Sequence, residues 1–496
     1  MAHPIFICYY TTMGHGVKVM EEGSNTGKEN FHGTPLKSEV AERALKDLPP
    51  LDELIKQYEP YRRKEKAHYE SGKPTLTNFA IPWKLPKEYK RAITLEKGAA
   101  RQDFGAVHIK NLMKDDHRVF VLHADLAASG GFDTSTRFAC SGQSPRIINV
   151  GVAEANMFMM AAGMRQVGLL PVTYTFAAFG TNEARANARL IDINCGHTRC
   201  GVIHDCTHSG VNVGEDGETH QEQNYLNIPF RHTRIWSPAD SNQAGAMAEK
   251  AFELIADGRE SIYVFTGRSG HEQLKNAAGN AFYDTDYAFD GKADTVRGKG
   301  TNQDCATIIA TGITVHAAIA AADSFKKSIR VLNIAQVRPI DAAAIIQAAL
   351  ETRHLIVVED HNVEGGLSSQ VADIIADFAL PCSLRRLGLR HYFPSAKGAD
   401  IMIMAGIDMQ SIVDAVQDEL NTEVSGGEDA FVSALYELAH HVQHSRFRES
   451  VIPYVQCLLH QKGYLEHLRE IFASRSCHPD KLPNSEDLKN KLKQLL

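Results

Sequence analysis

From residue 118 onward the chain repeats one pattern: a short apolar run, a turn, then a stretch whose apolar residues recur at helical spacing. RVFVLHAD (118–125), RIINVGVAE (146–154), PVTYTF (171–176) and CGVIHD (200–205) are runs of this kind. NMFMMAAGM (156–164) reads as a helix packed on most sides, its methionines filling core. Strands separated by helices pair in parallel through crossovers, so the pattern demands an α/β fold built on mainly parallel sheets. In such folds the ligand-binding groups collect just past the carboxyl ends of the strands.

The alternation breaks at a polar, Gly- and Asp-rich stretch near residues 270–300. It resumes with CATIIATG (305–312), RVLNIAQVRPID (330–341) and HLIVVED (354–360). A chain of 496 residues exceeds what one core serves, which agrees with roughly two to four domains. Upstream, IFICYY (5–10) reads as a buried strand. A glycine-broken loop, two Glu- and Lys-rich helical segments and a proline-studded linker follow. Downstream, Phe431, Leu435, Leu438 and Val442 recur at helical spacing, and Ser450 and Pro453 could open a further helix closed by Gly463.

Lys and Arg number 53 against 60 Asp and Glu, a net charge of -7 that argues against a nucleic-acid-binding surface. The N-terminal MAHPIFICYYTTMGHG carries no secretion leader, and no stretch approaches the roughly 20 apolar residues of a membrane span. The nine cysteines lack CxxC spacing and suit reduced thiols. The expectation is a cytoplasmic protein with neither a membrane nor a nucleic-acid partner.

Three features at strand ends carry chemistry. GVAE places Glu154 between an apolar strand and an apolar helix, where burial favours a carboxyl's neutral form. An acid is also favoured at a helix N-terminus for the dipole alone, so this residue decides nothing by itself. TFAAF sets Phe176 and Phe179 three apart, as core or as a platform for a flat ligand. GEDGETHQ (214–221) crowds three carboxylates, two glycines and a histidine together, a composition no core needs. Its glycines let backbone approach a ligand, and ligand hydroxyls would satisfy its acids.

Taken in order, these motifs resemble the transketolase family, from about residue 91 to 420 and again in a short N-terminal piece. The family carries a GV-x-E acid, a TF-x-x-F pair and a GEDG-x-THQ signature. Here they stand as GVAE, TFAAF and THSGVNVGEDGETHQ (207–221), with HADLAAS (123–129) and FTGRSG (265–270) also matching. The resemblance implies a pyrimidine-binding thiamine-diphosphate domain and a transketolase C-terminal domain, both α/β with mainly parallel sheets, plus a helical tail. The implied segments are 1–40 (the end of a diphosphate-binding domain), 41–90 (helical linker), 91–272 (pyrimidine-binding domain), 273–300 (linker), 301–421 (C-terminal domain) and 422–496 (tail).

The implied activity is transfer of a two-carbon ketol unit between phosphorylated sugars, with thiamine diphosphate as cofactor. Glu154 would hold a proton against the ring nitrogen of the cofactor's aminopyrimidine, making the carbanion nucleophile. Phe176 and Phe179 would stack on that ring, and Asp125 would help fix the cofactor by hydrogen bonding. Asp216 would accept from a sugar hydroxyl. His220, and His32 of the FHGTPL segment, would lie at the reacting end as catalytic groups. Arg101, Ser129, His208 and Arg268 match the family's sugar-phosphate set, since two guanidiniums, an imidazole and a hydroxyl suit a dianion.

Two positions depart from the family. Asn182 stands where a tyrosine is common, and Ser209 where an aspartate commonly follows the phosphate-site histidine. A larger departure is that no GDG occurs, the motif with which the family's other module holds Mg2+ on the diphosphate. The Mg2+ ligands are therefore expected from a partner chain carrying that module, in a two-fold symmetric assembly. The chain reads as the second subunit of a split transketolase. A piece of a longer chain, and an inactive relative that binds without catalysis, are the other readings. Within related chemistry, a 1-deoxyxylulose-5-phosphate synthase is disfavoured by THQ and the paired arginines. A 2-oxoacid dehydrogenase β subunit would need no sugar-phosphate site, and a non-catalytic binding protein would need none of these groups.

Overall fold

The computed structural model of the chain describes residues 14–26, 36–48, 50–70, 80–132, 146–424, 434 and 447–460. Residues 1–78 and 79–496 form two separate units. The described part of the first holds three helices, α1 (Lys18–Thr26), α2 (Ser38–Asp47) and α3 (Leu51–Glu70), the last two being the Glu- and Lys-rich segments. The Lys18 backbone N–H donates to Asp47 Oδ2 at 2.9 Å and ties α1 to α2. IFICYY and His32 lie outside the described residues.

The second unit opens with α4 (Ala100–Asp103), a π-helical turn (Phe104–Ile109) and α5 (Lys110–Asp115). A first run of strands and helices follows: β1 (Val119–His123), β2 (Ile147–Asn149), α6 (Glu154–Gln166), β3 (Leu170–Phe176), α7 (Ala177–Thr181), α8 (Arg185–Thr198), β4 (Ile203–Thr207), β5 (Thr233–Trp236), α9 (Ser241–Asp257) and β6 (Ser261–Thr266). A second run comprises β7 (Asp294–Arg297), β8 (Thr307–Ala310), α10 (Thr314–Asp323), β9 (Arg330–Asn333), β10 (Gln336–Arg338), α11 (Ala342–Thr352), β11 (His354–Asn362), α12 (Leu367–Asp377), β12 (Ser383–Leu389), α13 (Gly398–Met404) and α14 (Met409–Leu420).

The first sheet has the order β10-β5-β6-β4-β3-β1-β2 and the second β12-β11-β8-β9-β7. All pairings are parallel except β10 with β5 and β7 with β9, each at a sheet edge. Central β3 is buried along its whole length, because helices cover both faces of its sheet. On one face Val121, Val172, Tyr174 and Val264 meet Met247, Phe252 and Ile255 of α9. On the other, Leu122, Cys206 and Phe265 meet Phe158 of α6 and Ile191 of α8. α9 forms because Ala244, Met247, Ala248, Ala251, Phe252 and Ile255 fall on one stripe, and Asp240 caps it by accepting from the Gln243 N–H. It stops at Gly258, where φ of +82° suits glycine.

RVLNIAQVRPID is not one strand. Its first part is β9 of the second sheet, and its end crosses to become β10 beside β5, with Gln336 opposite Trp236. Every residue from Val331 to Val337 is buried, so the apolar run gives no periodic signal of the break. β7 comes from the polar stretch between the two runs. In the tail, helix Arg448–His460 starts before Ser450 and carries Pro453 inside it. Its start is set by an apolar stripe, Phe447, Val451, Tyr454 and Val455, which packs with Ile345 and Ile346 of α11. Among the described residues, no helix is long and apolar enough to cross a membrane.

Candidate active site

β3, β4 and β6 run parallel, with Phe176 level with Thr207 and Thr207 level with Thr266. Whatever follows these strands therefore emerges along one edge of the sheet. After β3 come Phe176 and, on α7, Phe179; after β4 come His208 and the 214–221 loop; after β6 comes Arg268. The segment after β2 delivers Glu154 as the first residue of α6, and the turn after β1 delivers Asp125 and Ser129. Motifs far apart in sequence share an edge because the crossovers all return the chain in one direction.

Four rings meet there. Phe176 and Phe179 stack with centroids 6.2 Å apart. His208 lies against Phe176 at 3.9 Å, and His220 stands edge-on to Phe179 at 5.4 Å and to Phe176 at 6.2 Å. Glu154 is 6% exposed, and its Oε1 accepts from the hydroxyl of Thr175, the neighbour of Phe176, at 3.3 Å. The arrangement thus offers a buried carboxyl tied to β3 through Thr175, and a cluster of two phenyl rings and two imidazoles at the end of that strand.

The cationic groups form a second cluster. Arg101 Nε donates to the main-chain carbonyl of Arg268 at 2.9 Å, and its Nη1 donates to the carbonyl of Ser129. Arg268 Nη1 donates to the Val213 carbonyl at 2.9 Å and to Glu215 Oε2 at 2.6 Å, with Asp216 Oδ1 at 3.9 Å. Arg101, Ser129 and Arg268 are therefore brought together, and Asp216 with them. Burial, reinforced by the charges of Arg101, Arg268 and His220, pushes His208 down to about 3. At neutral pH it is an uncharged imidazole. Tyr174 Oη and Thr207 Oγ1 share a hydrogen bond at 3.1 Å, and Thr207 Oγ1 and His208 Nδ1 another at 2.9 Å.

The signature loop is held from the C-terminal half, which the motifs alone do not reveal. Asp360 at the end of β11 accepts from the Val211 and Asn212 N–H groups at 2.8 and 3.1 Å. Gln221 Nε2 donates to the Phe393 carbonyl, and Gln221 Oε1 accepts from the Phe393 N–H. Ser395 Oγ donates to the Glu215 carbonyl at 2.6 Å. Asn182, in the place of the family's tyrosine, donates to Glu222 Oε2 at 2.6 Å and so ties α7 to the segment after the signature.

Asp125 lies in the turn after β1. It is exposed, has a φ of +60°, and its Oδ1 accepts from Asn149 Nδ2 at 2.9 Å. Asn149, Thr175, Thr207 and Asp360 all went unremarked in the sequence. The first three lie inside or next to recognised motifs, whereas nothing local marks the fourth. Among the described residues, no group of three or more His, Cys, Asp and Glu could hold a metal ion. A cavity of about 730 Å³ lies elsewhere, lined by Arg330, Gln336, Arg338, Gln370 and Tyr454 among others.

Comparison with known proteins agrees with this arrangement. The transketolase pyrimidine-binding domain family matches residues 101–272, and the transketolase C-terminal domain family matches residues 291–412. The 6-deoxy-6-sulfo-D-fructose transketolase subunit of Clostridium sp. is 31% identical over 309 residues, 61% of this chain and 88% of that protein. The chain belongs to the transketolase family. Mouse transketolase is 29% identical to this family member over 426 residues, 84% of this chain, and the chain spans 62% of the mouse protein's length. A split-gene transketolase described as an inactive β4 tetramer is 26% identical, with a TM-score of 0.53 over 65% of this chain and 98% of that one. The two α/β sheets are those of the transketolase pyrimidine-binding and C-terminal domains.

Proposed function

We propose that this transketolase-family chain is the pyrimidine-side subunit of a thiamine-diphosphate-dependent transketolase. It moves a two-carbon ketol unit between phosphorylated sugars, together with a partner that holds the Mg2+-bound diphosphate. The observation that carries the reading is Glu154, buried at the start of α6 and bonded through Thr175 to the strand that presents Phe176. A buried carboxyl and a stacked pair of phenyl rings suit an aminopyrimidine, which needs a stacking surface and a group that gives and takes one proton. When bound, thiamine diphosphate supplies the nucleophilic carbon that receives the ketol unit.

In this reading Glu154 would hold a proton for the pyrimidine nitrogen of the bound cofactor, and Phe176 and Phe179 would stack on its ring. Asp125, with its partner Asn149, adds a polar contact. His220 and Asp216 handle sugar hydroxyls. Arg101, Ser129, His208 and Arg268 take the phosphate.

Support for a partner comes from exposed apolar side chains on and before α6 and on α8. Val152, two residues before α6, is 83% exposed, and Met159 on α6 and Leu190 and Ile193 on α8 are exposed as well. α6 and α8 pack on each other, and large exposed apolar side chains on neighbouring elements suit an interface. The chain's match to only part of the mouse enzyme, and to nearly all of a split-gene chain, supports the same view. Buried free thiols at Cys195, Cys200 and Cys206 support a reducing, cytoplasmic setting.

The test is reconstitution. The purified chain is mixed with a chain carrying the GDG-bearing module, thiamine diphosphate, Mg2+, xylulose 5-phosphate and ribose 5-phosphate. Ketol transfer is expected from the mixture and from neither chain alone, and Glu154→Gln is expected to abolish it. An inert mixture, or full activity in the Glu154→Gln mixture, would overturn the reading.

A further inference from the structure

We propose that Asp360, carried by the C-terminal sheet, is a positioning residue for the sugar-phosphate site, an inference that rests on the transketolase reading above. Asp360 is 3% exposed and lies near the end of β11. Its Oδ1 accepts from Val211 N–H at 2.8 Å and its Oδ2 from Asn212 N–H at 3.1 Å. These two groups open the 3-10 turn Gly210–Asp216, whose first amides have no partners within the turn.

The fit around Asp360 leaves no slack. Gly210 has a φ of +65°, and a Cβ placed on it would stand 2.3 Å from Asp360 Cγ. Only glycine meets both conditions. The Gly210 N–H also donates to the Glu222 carbonyl at 3.0 Å, so the turn is held from its other side. Along the same stretch of β11, the Asp360 carbonyl accepts from Tyr225 O–H at 2.8 Å, and Asn362 N–H donates to the Gln223 carbonyl at 2.8 Å. One strand end thus grips the signature at its start and just after its close.

What the turn presents explains why the grip matters. Two residues before Gly210 stands His208, in left-handed conformation with φ of +58°. Within the turn, the Val213 carbonyl receives Arg268 Nη1. Asn212 Oδ1 accepts from Ser269 N–H at 2.7 Å, and Asn212 Nδ2 donates to Ser269 Oγ at 3.0 Å. The turn therefore fixes the imidazole on one side and the guanidinium segment on the other. A carboxylate suits the task because it offers an acceptor to each of two successive N–H groups. An amide offers one oxygen and turns its NH2 against the second donor. Asp360 touches neither substrate nor cofactor and acts through the turn.

The experiment uses Asp360→Asn and Asp360→Ala. In the isolated full chain, amide hydrogen exchange is followed across residues 209–217. Both variants are expected to lose about tenfold of protection there, as for one or two lost hydrogen bonds, while β8 and β9 stay protected. In the reconstituted mixture, KM for a phosphorylated ketose is expected to rise about tenfold, with kcat, cofactor affinity and KM for an unphosphorylated ketose within about twofold. Unchanged exchange at 209–217, or a uniform loss across the C-terminal sheet, would overturn the proposal. So would a fall in kcat with no change in KM. If Asp360→Ala does not fold, the isosteric Asp360→Asn decides. A wild-type mixture without ketol transfer would sink the transketolase reading, yet the exchange experiment would still test the clamp.

Discussion

Acidification should weaken this chain through His208, and the size of the effect follows from its surroundings. His208 is 3% exposed, and burial, with Arg101, Arg268 and His220 adding to it, pushes its imidazole from 6.5 down to about 3. Between those two values the unfolded chain binds a proton that the folded chain refuses, so the His208 contribution to stability rises with pH. Single-site linkage puts the loss between about pH 7.5 and about pH 5 at ~2 kcal/mol. His208→Gln keeps an acceptor beside Thr207 and cannot titrate. Other groups act in both proteins. His204, His108, His271 and His361 are also pushed down, with the same sign. Glu359, Asp360, Asp240 and Asp294 are pushed up by burial and have the opposite sign. Their effects cancel when variant and wild type are compared. The assay is urea denaturation at the two pH values, followed by tryptophan fluorescence, since Trp236 is buried in β5 of the same sheet. Wild type should lose about 2 kcal/mol more than His208→Gln. Equal losses would refute the reasoning. Added sugar phosphate should shrink the difference, because a dianion offsets the two arginines.

Three further outcomes follow. Arg330 is 2% exposed and bonds Asp304 at 3.1 Å and Glu351 at 2.6 Å, so Arg330→Met should cost about 3–5 kcal/mol by leaving two acids buried without a cation. A fall in thermal midpoint no larger than that of a surface substitution would contradict this. The pair Val152→Asp and Ile193→Asp should leave the melting of the isolated chain unchanged and abolish co-elution with the partner in size-exclusion chromatography. Arg268→Ala should raise KM for phosphorylated ketoses by about tenfold to a hundredfold, the worth of a charged hydrogen bond, with little change for unphosphorylated ones.

Much of the site was legible in the sequence because its groups sit at strand ends. GVAE, TFAAF and THSGVNVGEDGETHQ each join an apolar run to a turn, and parallel pairing then brings Phe176, His208 and Arg268 to one edge. Glu154 was legible as an acid at a helix start, though its bond from Thr175 depends on how β3 lies beside α6. Asp360 was not legible. It lies in HLIVVED, an ordinary buried strand by composition, and its partners Val211 and Asn212 are far away in sequence. Only tertiary packing relates them. RVLNIAQVRPID misled for a similar reason, since burial on every side erases the periodicity that would mark two strands in two sheets. The start of helix Arg448–His460 was set by the stripe through Phe447 and Val451, which outweighed the breaker at Pro453.

The account turns on a site divided between two chains, and cofactor titration examines that division most directly. Thiamine diphosphate with Mg2+ is titrated calorimetrically into this chain, into the GDG-bearing chain, and into their mixture. Tight, Mg2+-dependent binding is predicted for the mixture, and weak binding for this chain alone. Tight, Mg2+-dependent binding by this chain alone would contradict the account.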